Sequence, residues 1–319
     1  MSIRFQYHTR QAARRTLSHL AYGAIRLRGR VPPGVRILTY HRVNDWHPDD
    51  CLSVPVARFT EQMRWLHEQG YRTLTLTEAL VWLKEATGRD RGQETGSAGS
   101  ADDSHPSPRA PRPAPQRIVL TFDDGYADNY WHVSPVLQKH GFCATLFVAS
   151  GLMDRDVPMP RYAGGSLERD RGLTWEEIRA MQAHGVEIGA HTISHPDLTA
   201  ITPDAARREI VESKRQIERE TGRPVQAFAY PKGRLNAQVA ALVREAGYAS
   251  ACSERIGANR VGEDVFRLRR TEVSAHDTLD DFEKKLAGAY DWLHRAVQRA
   301  GRVEGGTWKV EQTTPCAGL

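Results

Sequence analysis

The segment Thr121-Phe122-Asp123-Asp124-Gly125-Tyr126 sets two adjacent carboxylates directly after the apolar run Ile118-Val119-Leu120. β-Branched residues before the acids and a turn glycine after them read as strand, tight turn, helix. Neighbouring carboxylates repel and are costly to desolvate, and a divalent cation is the usual compensation. Further along, His191-Thr192-Ile193-Ser194-His195-Pro196 follows a second short strand, Val186 to Ala190. Histidines four apart share a face if the segment is helical, so both imidazoles can reach one ion. With the acid pair they make a two-histidine, one-carboxylate set, which leaves positions open for water and substrate. A closed structural zinc site usually recruits cysteine, and none of the four (Cys51, Cys143, Cys252, Cys316) lies beside either motif. Each motif alone has a bland reading, a solvated turn or a surface histidine pair. Together, at two strand ends, they point to a metal.

The elements that would hold these residues alternate. Val35 to Tyr40 reads as a strand ending at His41, and Arg72 to Leu76 as a short extended piece. Helices are expected over 58–69 and 77–86, the second N-capped by Thr77. Strands follow after Gln116, at Ala144 to Val148 and at Val186 to Ala190, the last preceded by a helix that Thr174 and Glu177 open as a capping box. A long polar helix over 203–221 ends at Gly222. Ala227 to Tyr230 is a strand closed by Pro231-Lys232-Gly233. A helix over 236–246, strands at Tyr248 to Cys252 and Arg267 to Val273, and a last helix carrying Phe282, Leu286, Tyr290 and Leu293 complete the pattern. Seven strands separated mostly by helices imply a parallel sheet with helices outside. Polar residues cluster at the C-terminal strand ends along the whole chain (His41, Asp123, Asp124, His191, the Tyr230–Gly233 turn). That suits a β/α barrel better than the single switch point of an open doubly wound sheet.

Charge is uneven. The chain carries +5 net, but residues 1–44 hold nine arginines and no acid, which leaves the remainder at −4. The basic character therefore belongs to an N-terminal segment, residues 1–32, and no nucleic-acid partner is expected. Ala13, Leu17, Leu20, Ala24 and Leu27 recur there at helical spacing, with Arg14, Arg15 and Arg26 elsewhere on the wheel. Such a helix over residues 1–30 could lie on an anionic membrane surface; packing on the domain or a frayed terminus are the alternatives. No signal-peptide core or membrane-spanning run is seen, so the expected location is cytoplasmic or peripheral to the inner membrane. Residues at about 87–116 lack Val, Ile, Leu and aromatic rings and read as a disordered insertion. Residues 296–319 form a C-terminal tail. Cys143 and Cys252 sit in apolar contexts as small hydrophobes, and the absence of CxxC fits a reducing compartment.

From about Val35 to Leu293 the chain resembles the polysaccharide deacetylase family of carbohydrate esterases (family 4), the NodB-homology family. The likeness rests on Thr121–Tyr126, His191–Pro196 and Phe228–Gly233, in that order and spacing. Tyr40-His41-Arg42 resembles the start of its exopolysaccharide-associated branch. The resemblance implies one catalytic domain over residues 33–295, folded as a distorted barrel of seven or eight β/α units. It implies Asp123 as general base, Asp124, His191 and His195 as metal ligands, and Tyr230, Pro231, Lys232 and Gly233 as the groove wall with a backbone N–H for the oxyanion. The family's Arg after the Phe of the third motif is replaced by Ala229, so something else must orient the base, with Arg267, Arg269 and Arg270 as candidates. The late Leu-x-His motif that supplies a general acid is not plain: His41 is the first candidate and His276 the second.

The implied activity is metal-dependent removal of N-acetyl groups from an N-acetylated sugar of a polysaccharide or glycolipid. Zinc is the first choice of metal, and cobalt, nickel or iron(II) suit the same ligands. An O-acetyl esterase or a deformylase acting on a lipid-linked sugar would use the same site. A two-histidine, one-carboxylate iron oxygenase would normally sit on an antiparallel barrel. A non-catalytic glycan-binding module would have lost one of the four motif residues.

Overall fold

Alternating side chains of the central strands separate into two apolar clusters. Val35, Ile37, Val119, Phe147, Ala227, Ala229, Cys252 and Leu268 belong to one. Leu38, Tyr40, Leu120, Phe122, Leu146, Ile188 and Phe228 belong to the other. Strands buried on both faces are what a parallel sheet wrapped by helices requires. The structure, a computed structural model, describes residues 34–89 and 116–291, with Ser18 and residues 21–23. The expected amphipathic segment over 1–32 with its membrane contact, most of the 87–116 insertion, Leu293 and the tail at 296–319 lie outside the described residues. Among the described residues no helix is long and apolar enough to cross a membrane.

In chain order the elements are β1 (Val35–Tyr40), β2 (Arg42–Val43), β3 (Ser53–Val54), α1 (Val56–Glu68), β4 (Arg72–Leu74), α2 (Leu76–Arg89), β5 (Arg117–Phe122), α3 (Ser134–His140), β6 (Ala144–Val148), α4 (Leu167–Asp170), α5 (Trp175–Ala183), β7 (Val186–Ala190), α6 (Pro203–Thr221), β8 (Ala227–Ala229), α7 (Ala237–Glu245), β9 (Ser250–Cys252), β10 (Ala258–Asn259), β11 (Thr271–Glu272) and α8 (Leu279–Ala287). The sheet runs β10-β1-β5-β6-β7-β8-β9, with β4 on the N-terminal half of β5. Among the described strands of this sheet only β10 pairs antiparallel. Leu268 bridges to Cys252 at one edge, and β11 pairs with β1 at the other, so residues 268–272 join the two edges and the sheet curls into a distorted β/α barrel.

The last strand expected at 267–273 is thus broken. Residues 265–267 make a 3₁₀ turn, and the chain then changes partner from β9 to β1. The N-cap of α2 is Thr75 rather than Thr77: Thr75 and Glu78 exchange hydrogen bonds, while the Thr77 hydroxyl donates to Glu187. Helix α8 stops before Tyr290, which its apolar spacing would include, because Gly288 takes the left-handed φ of 80° that caps it. Cys143 and Cys252 are free thiols, Cys252 buried as expected and Cys143 only half-buried, whereas Cys51 is disulfide-bonded.

Leu76, Ala79, Leu80 and Leu83 of α2 close the barrel's N-terminal mouth, and functional groups are left to the other end. Just below that end Phe147 fills the lumen, which only a glycine on β7 permits. A Cβ on Gly189 would stand 2.5 Å from the Phe147 ring. Gly189→Ala is therefore expected to lower stability by about 1–3 kcal/mol through overpacking, read as a lower urea midpoint at unchanged slope.

Candidate metal and catalytic centre

Parallel pairing puts the carboxyl ends of β1, β5, β6 and β7 at one level. Asp123 N–H donates to Tyr40 O at 3.0 Å and His191 N–H to Val148 O at 2.9 Å, so His41, Asp123 and His191 each leave a strand at the same mouth. Immediately after β5 the chain turns sharply: Asp124 has φ 74° and Gly125 φ 81°. Asp tolerates the left-handed region better than most residues. At Gly125 any side chain would meet Met153 Sδ at 2.9 Å. The turn swings Asp124 away from its neighbour, so the two carboxylates face different partners.

Asp124 meets the histidines. Its Oδ1 lies 3.5 Å from His191 Nε2 and 3.4 Å from His195 Nε2. These are long for hydrogen bonds. They match ligands around one ion: donors about 2.0–2.2 Å from a tetrahedral centre stand about 3.3–3.6 Å apart. His191 Nδ1 bonds to Ala229 O at 2.8 Å, which fixes its proton there and leaves Nε2 as a lone-pair donor. Burial pushes His191 down to about 4, so the ring is neutral near pH 7. The donor set therefore fits a divalent cation, and among the described residues it is the cluster of this kind that the fold assembles.

The local geometry of the histidines differs from expectation. Residues 191–195 are not helical, and Thr192 (φ 69°) and His195 (φ 61°) are left-handed. Glu209 on α6 holds the loop, accepting from Ile193 N at 2.8 Å, Ser194 N at 3.0 Å and Ser194 Oγ at 2.7 Å. An i,i+4 helical face is replaced by a carboxylate-capped loop that aims both rings at one point.

Asp123 is buried and faces Arg270, which donates from Nη1 at 2.7 Å and Nη2 at 2.8 Å. Burial alone would raise this carboxyl. The Arg270 guanidinium, with His191 and His41 nearby, outweighs it and holds Asp123 at about 2. Arg270 is thus the one of the three candidate arginines that meets Asp123; Arg267 pairs with Asp264 and Arg269 with Glu263, both at the surface. Arg270 also lies 5.7 Å over the Phe147 ring.

His41 is half-buried beside Asp123. Its carbonyl accepts from Asn129 Nδ2 at 3.0 Å, and its Nδ1 is buried without a hydrogen-bond partner among the described residues. His276 is exposed in the turn after β11. Of the third motif, Tyr230 points outward into the helical layer, donating its hydroxyl to Phe266 O at 3.0 Å. The N–H groups of Tyr230 and Gly233 are spent on Cys252 O and Tyr230 O, and Pro231 has none. Within the motif that leaves Lys232, at φ 56°, as the residue whose N–H can face a ligand. Glu272, unremarked in the sequence, shares the inward face of its strand with Arg270; burial raises its carboxyl, a rise that His41 and Lys285 oppose. The alternation Leu268, Arg270, Glu272 would have revealed it had the register been known.

Residues 110–251 match the family model described as "Polysaccharide deacetylase". YxkH of Bacillus subtilis (strain 168), whose name places it among polysaccharide deacetylases, is 30% identical over 243 residues, spanning 76% of this chain and 72% of YxkH. The poly-beta-1,6-N-acetyl-D-glucosamine N-deacetylase of Escherichia coli (strain K12) is 27% identical over 163 residues, half of this chain and 20% of that protein. The solved structure of the Streptococcus pyogenes deacetylase PplD in complex with acetate superposes with TM-score 0.60 over 80% of this chain and 99% of that one, at 22% identity, a likeness of fold.

Proposed function

This chain belongs to the polysaccharide deacetylase family, and we propose that it removes N-acetyl groups from an N-acetylated sugar of a polysaccharide or glycolipid by metal-assisted hydrolysis. The observation that carries this reading is the juxtaposition of two differently used carboxylates. Asp124 faces His191 and His195 with their free nitrogens, and Asp123 is turned to Arg270 beside them.

Asp124, His191 and His195 would hold the cation, zinc being the first choice for one carboxylate and two imidazoles. When bound, it would lower the pKa of water toward about 7 and polarise a carbonyl oxygen. Asp123, ionised across neutral pH, takes the proton of the attacking water as general base. Arg270 keeps both its oxygens in one plane while this happens. The Lys232 N–H is the backbone donor for the oxygen that gains charge, worth about 3–4 kcal/mol for one such donor. His41 is the group placed to return a proton to the departing nitrogen, whereas exposed His276 is not. The products are acetate and a free amino sugar.

The name of the E. coli relative suggests the first substrate to try, a β-1,6-linked N-acetylglucosamine oligomer. The expected result is about one zinc per chain and acetate release that a chelator abolishes and added zinc restores. An O-acetylated oligomer run alongside separates amide from ester cleavage. Acetate release that survives complete metal removal would overturn the mechanism.

A further inference from the structure

Among the described residues the largest fully enclosed side chain is that of Arg42, one residue after His41. Its Nε donates to Asp128 Oδ2 at 2.6 Å, Nη1 to Asp170 Oδ1 at 2.8 Å and Nη2 to Arg169 O at 2.7 Å. The guanidinium lies between the rings of Tyr126, 4.7 Å away, and Tyr162, 4.3 Å away. Asp128 is saturated as well: it accepts from Val43 N, Asn44 Nδ2 and Asn129 Nδ2. His47 Nε2 bonds to Asp170 at 2.6 Å, and its ring stacks on Tyr162.

A buried Arg with two carboxylates is not an economical way to stabilise a fold. Well-packed apolar residues of the same volume often serve as well or better. What such a cluster does supply is fixed relative position, because the planar fork has one satisfactory geometry. Here it joins three segments, each carrying part of the cleft. The first continues from His41. The second continues from Asp123 and Asp124 through Tyr126 to Asp128 and Asn129, and Asn129 returns to the His41 carbonyl. The third is the loop 154–172. That loop borders the cleft: Tyr126 bridges Gly172, Ala127 N–H donates to Arg171 O, and Leu173 N–H donates to Gly125 O. The turn just before it is tied to the histidine loop, with Gly151 N–H donating to Ile193 O at 2.9 Å.

We infer that Arg42 is the positioning residue of this cleft, with two separable arms. Through Asp128 and Asn129 it sets His41 against Asp123. Through Asp170 it fastens loop 154–172 as the wall on which an extended glycan rests. The inference builds on the hydrolytic reading above. The Asp128 arm bears on turnover, and the Asp170 arm, seconded by His47, bears on capture of an oligomeric chain.

The test uses the zinc-loaded full-length protein and three variants, Arg42→Lys, Asp128→Asn and Asp170→Asn, with an N-acetylglucosamine pentamer. Asp170→Asn is expected to raise KM about tenfold with kcat within about twofold. Arg42→Lys and Asp128→Asn are expected to lower kcat about 10–100-fold, a small misplacement of reacting groups being that costly. Zinc content should stay at the wild-type level in all three. Amide hydrogen exchange gives a readout independent of activity: in Asp170→Asn, protection should fall at Met159, Ala127 and Leu173 and persist in β5 and β7. A variant that merely destabilises the fold would reduce the active fraction at unchanged KM and loosen exchange throughout. Unchanged KM and unchanged exchange in Asp170→Asn would overturn the clamp. Wild-type protein without acetate release, alongside the predicted local loss of protection, would leave the clamp standing and overturn the hydrolytic reading instead.

Discussion

Arg270→Met is expected to cost this protein both stability and turnover. The guanidinium and the Asp123 carboxylate are each almost fully buried, with side-chain exposures of 2% and 3%. Removing one partner of such a pair leaves a buried charge uncompensated and typically costs about 3–5 kcal/mol. The pH dependence carries a distinct signature. In the folded protein Asp123 titrates at about 2, against about 3.9 in an unfolded chain. A depressed carboxyl contributes stability that is complete above the unfolded value and vanishes as pH falls through the folded one. This contribution, about 2–3 kcal/mol, is therefore present above about pH 4 and lost between about pH 4 and pH 2. In Arg270→Met burial is no longer offset by the fork, so that stabilisation should be missing at neutral pH. The gap between wild type and variant should then narrow on acidification from pH 7 to pH 3. Urea titrations of the metal-free proteins at the two pH values measure this directly. Acetate release by the zinc-loaded variant should fall about 10²–10⁴-fold, the usual worth of acid–base help. Arg270→Lys should recover part of the stability and little of the turnover, because one ammonium cannot hold both oxygens in plane. A variant with wild-type stability and turnover would remove Arg270 from the site.

The proposed ligand residues were legible in the sequence because their chemistry is carried by residue type. Adjacent aspartates after an apolar run, and two histidines after another, hold that meaning whatever the backbone does between them. The geometry was less legible. An i,i+4 spacing suggested a helical face, but Glu209, 16 residues from Ile193, caps a loop there and allows left-handed residues at Thr192 and His195. Three arginines near the last strand were candidates for one role. The choice of Arg270 depends on which face of a broken strand looks inward, and that is fixed only when residues 268–272 pair with both barrel edges. Arg42 stood beside a noticed histidine yet gave no signal, since its partners Asp128 and Asp170 lie 86 and 128 residues away. Strand existence follows from local apolar runs, whereas a buried ion cluster is a property of the assembled fold. Thr75 and Gly288 make the same point at small scale. Both are ordinary capping residues, displaced by a few positions from where apolar periodicity alone sets the helix ends.

Exchanging the two neighbouring aspartates one at a time should split metal binding from catalysis. Asp124→Ala is expected to lose the metal, because Asp124 is the single carboxylate among the three proposed ligands and its Oδ1 is the atom that faces both imidazoles. Two histidines alone would hold zinc much more weakly, by about 10²-fold or more, judging from the 10–100-fold that even an outer partner of a ligand contributes. Alanine is also strained at the left-handed φ of 74°, by about 1–2 kcal/mol. Asp124→Asn, which tolerates that conformation, therefore serves as the control that removes charge without the strain. Asp123→Asn should behave in the opposite way. It points to Arg270 rather than to the imidazoles, so zinc stays near the wild-type level, while the amide cannot accept a proton from water. Turnover should fall about 10²–10⁴-fold. The amide also offers one oxygen where the fork met two, so a moderate loss of stability should accompany the substitution. Metal analysis after dialysis, run beside acetate release, should show turnover lost in both variants but metal lost only from the Asp124 variants. If Asp123→Asn lost its zinc while Asp124→Asn kept it, the roles of the pair would be reversed. If both remained active, neither carboxylate would be doing chemistry and the cluster would be an ion site unrelated to turnover.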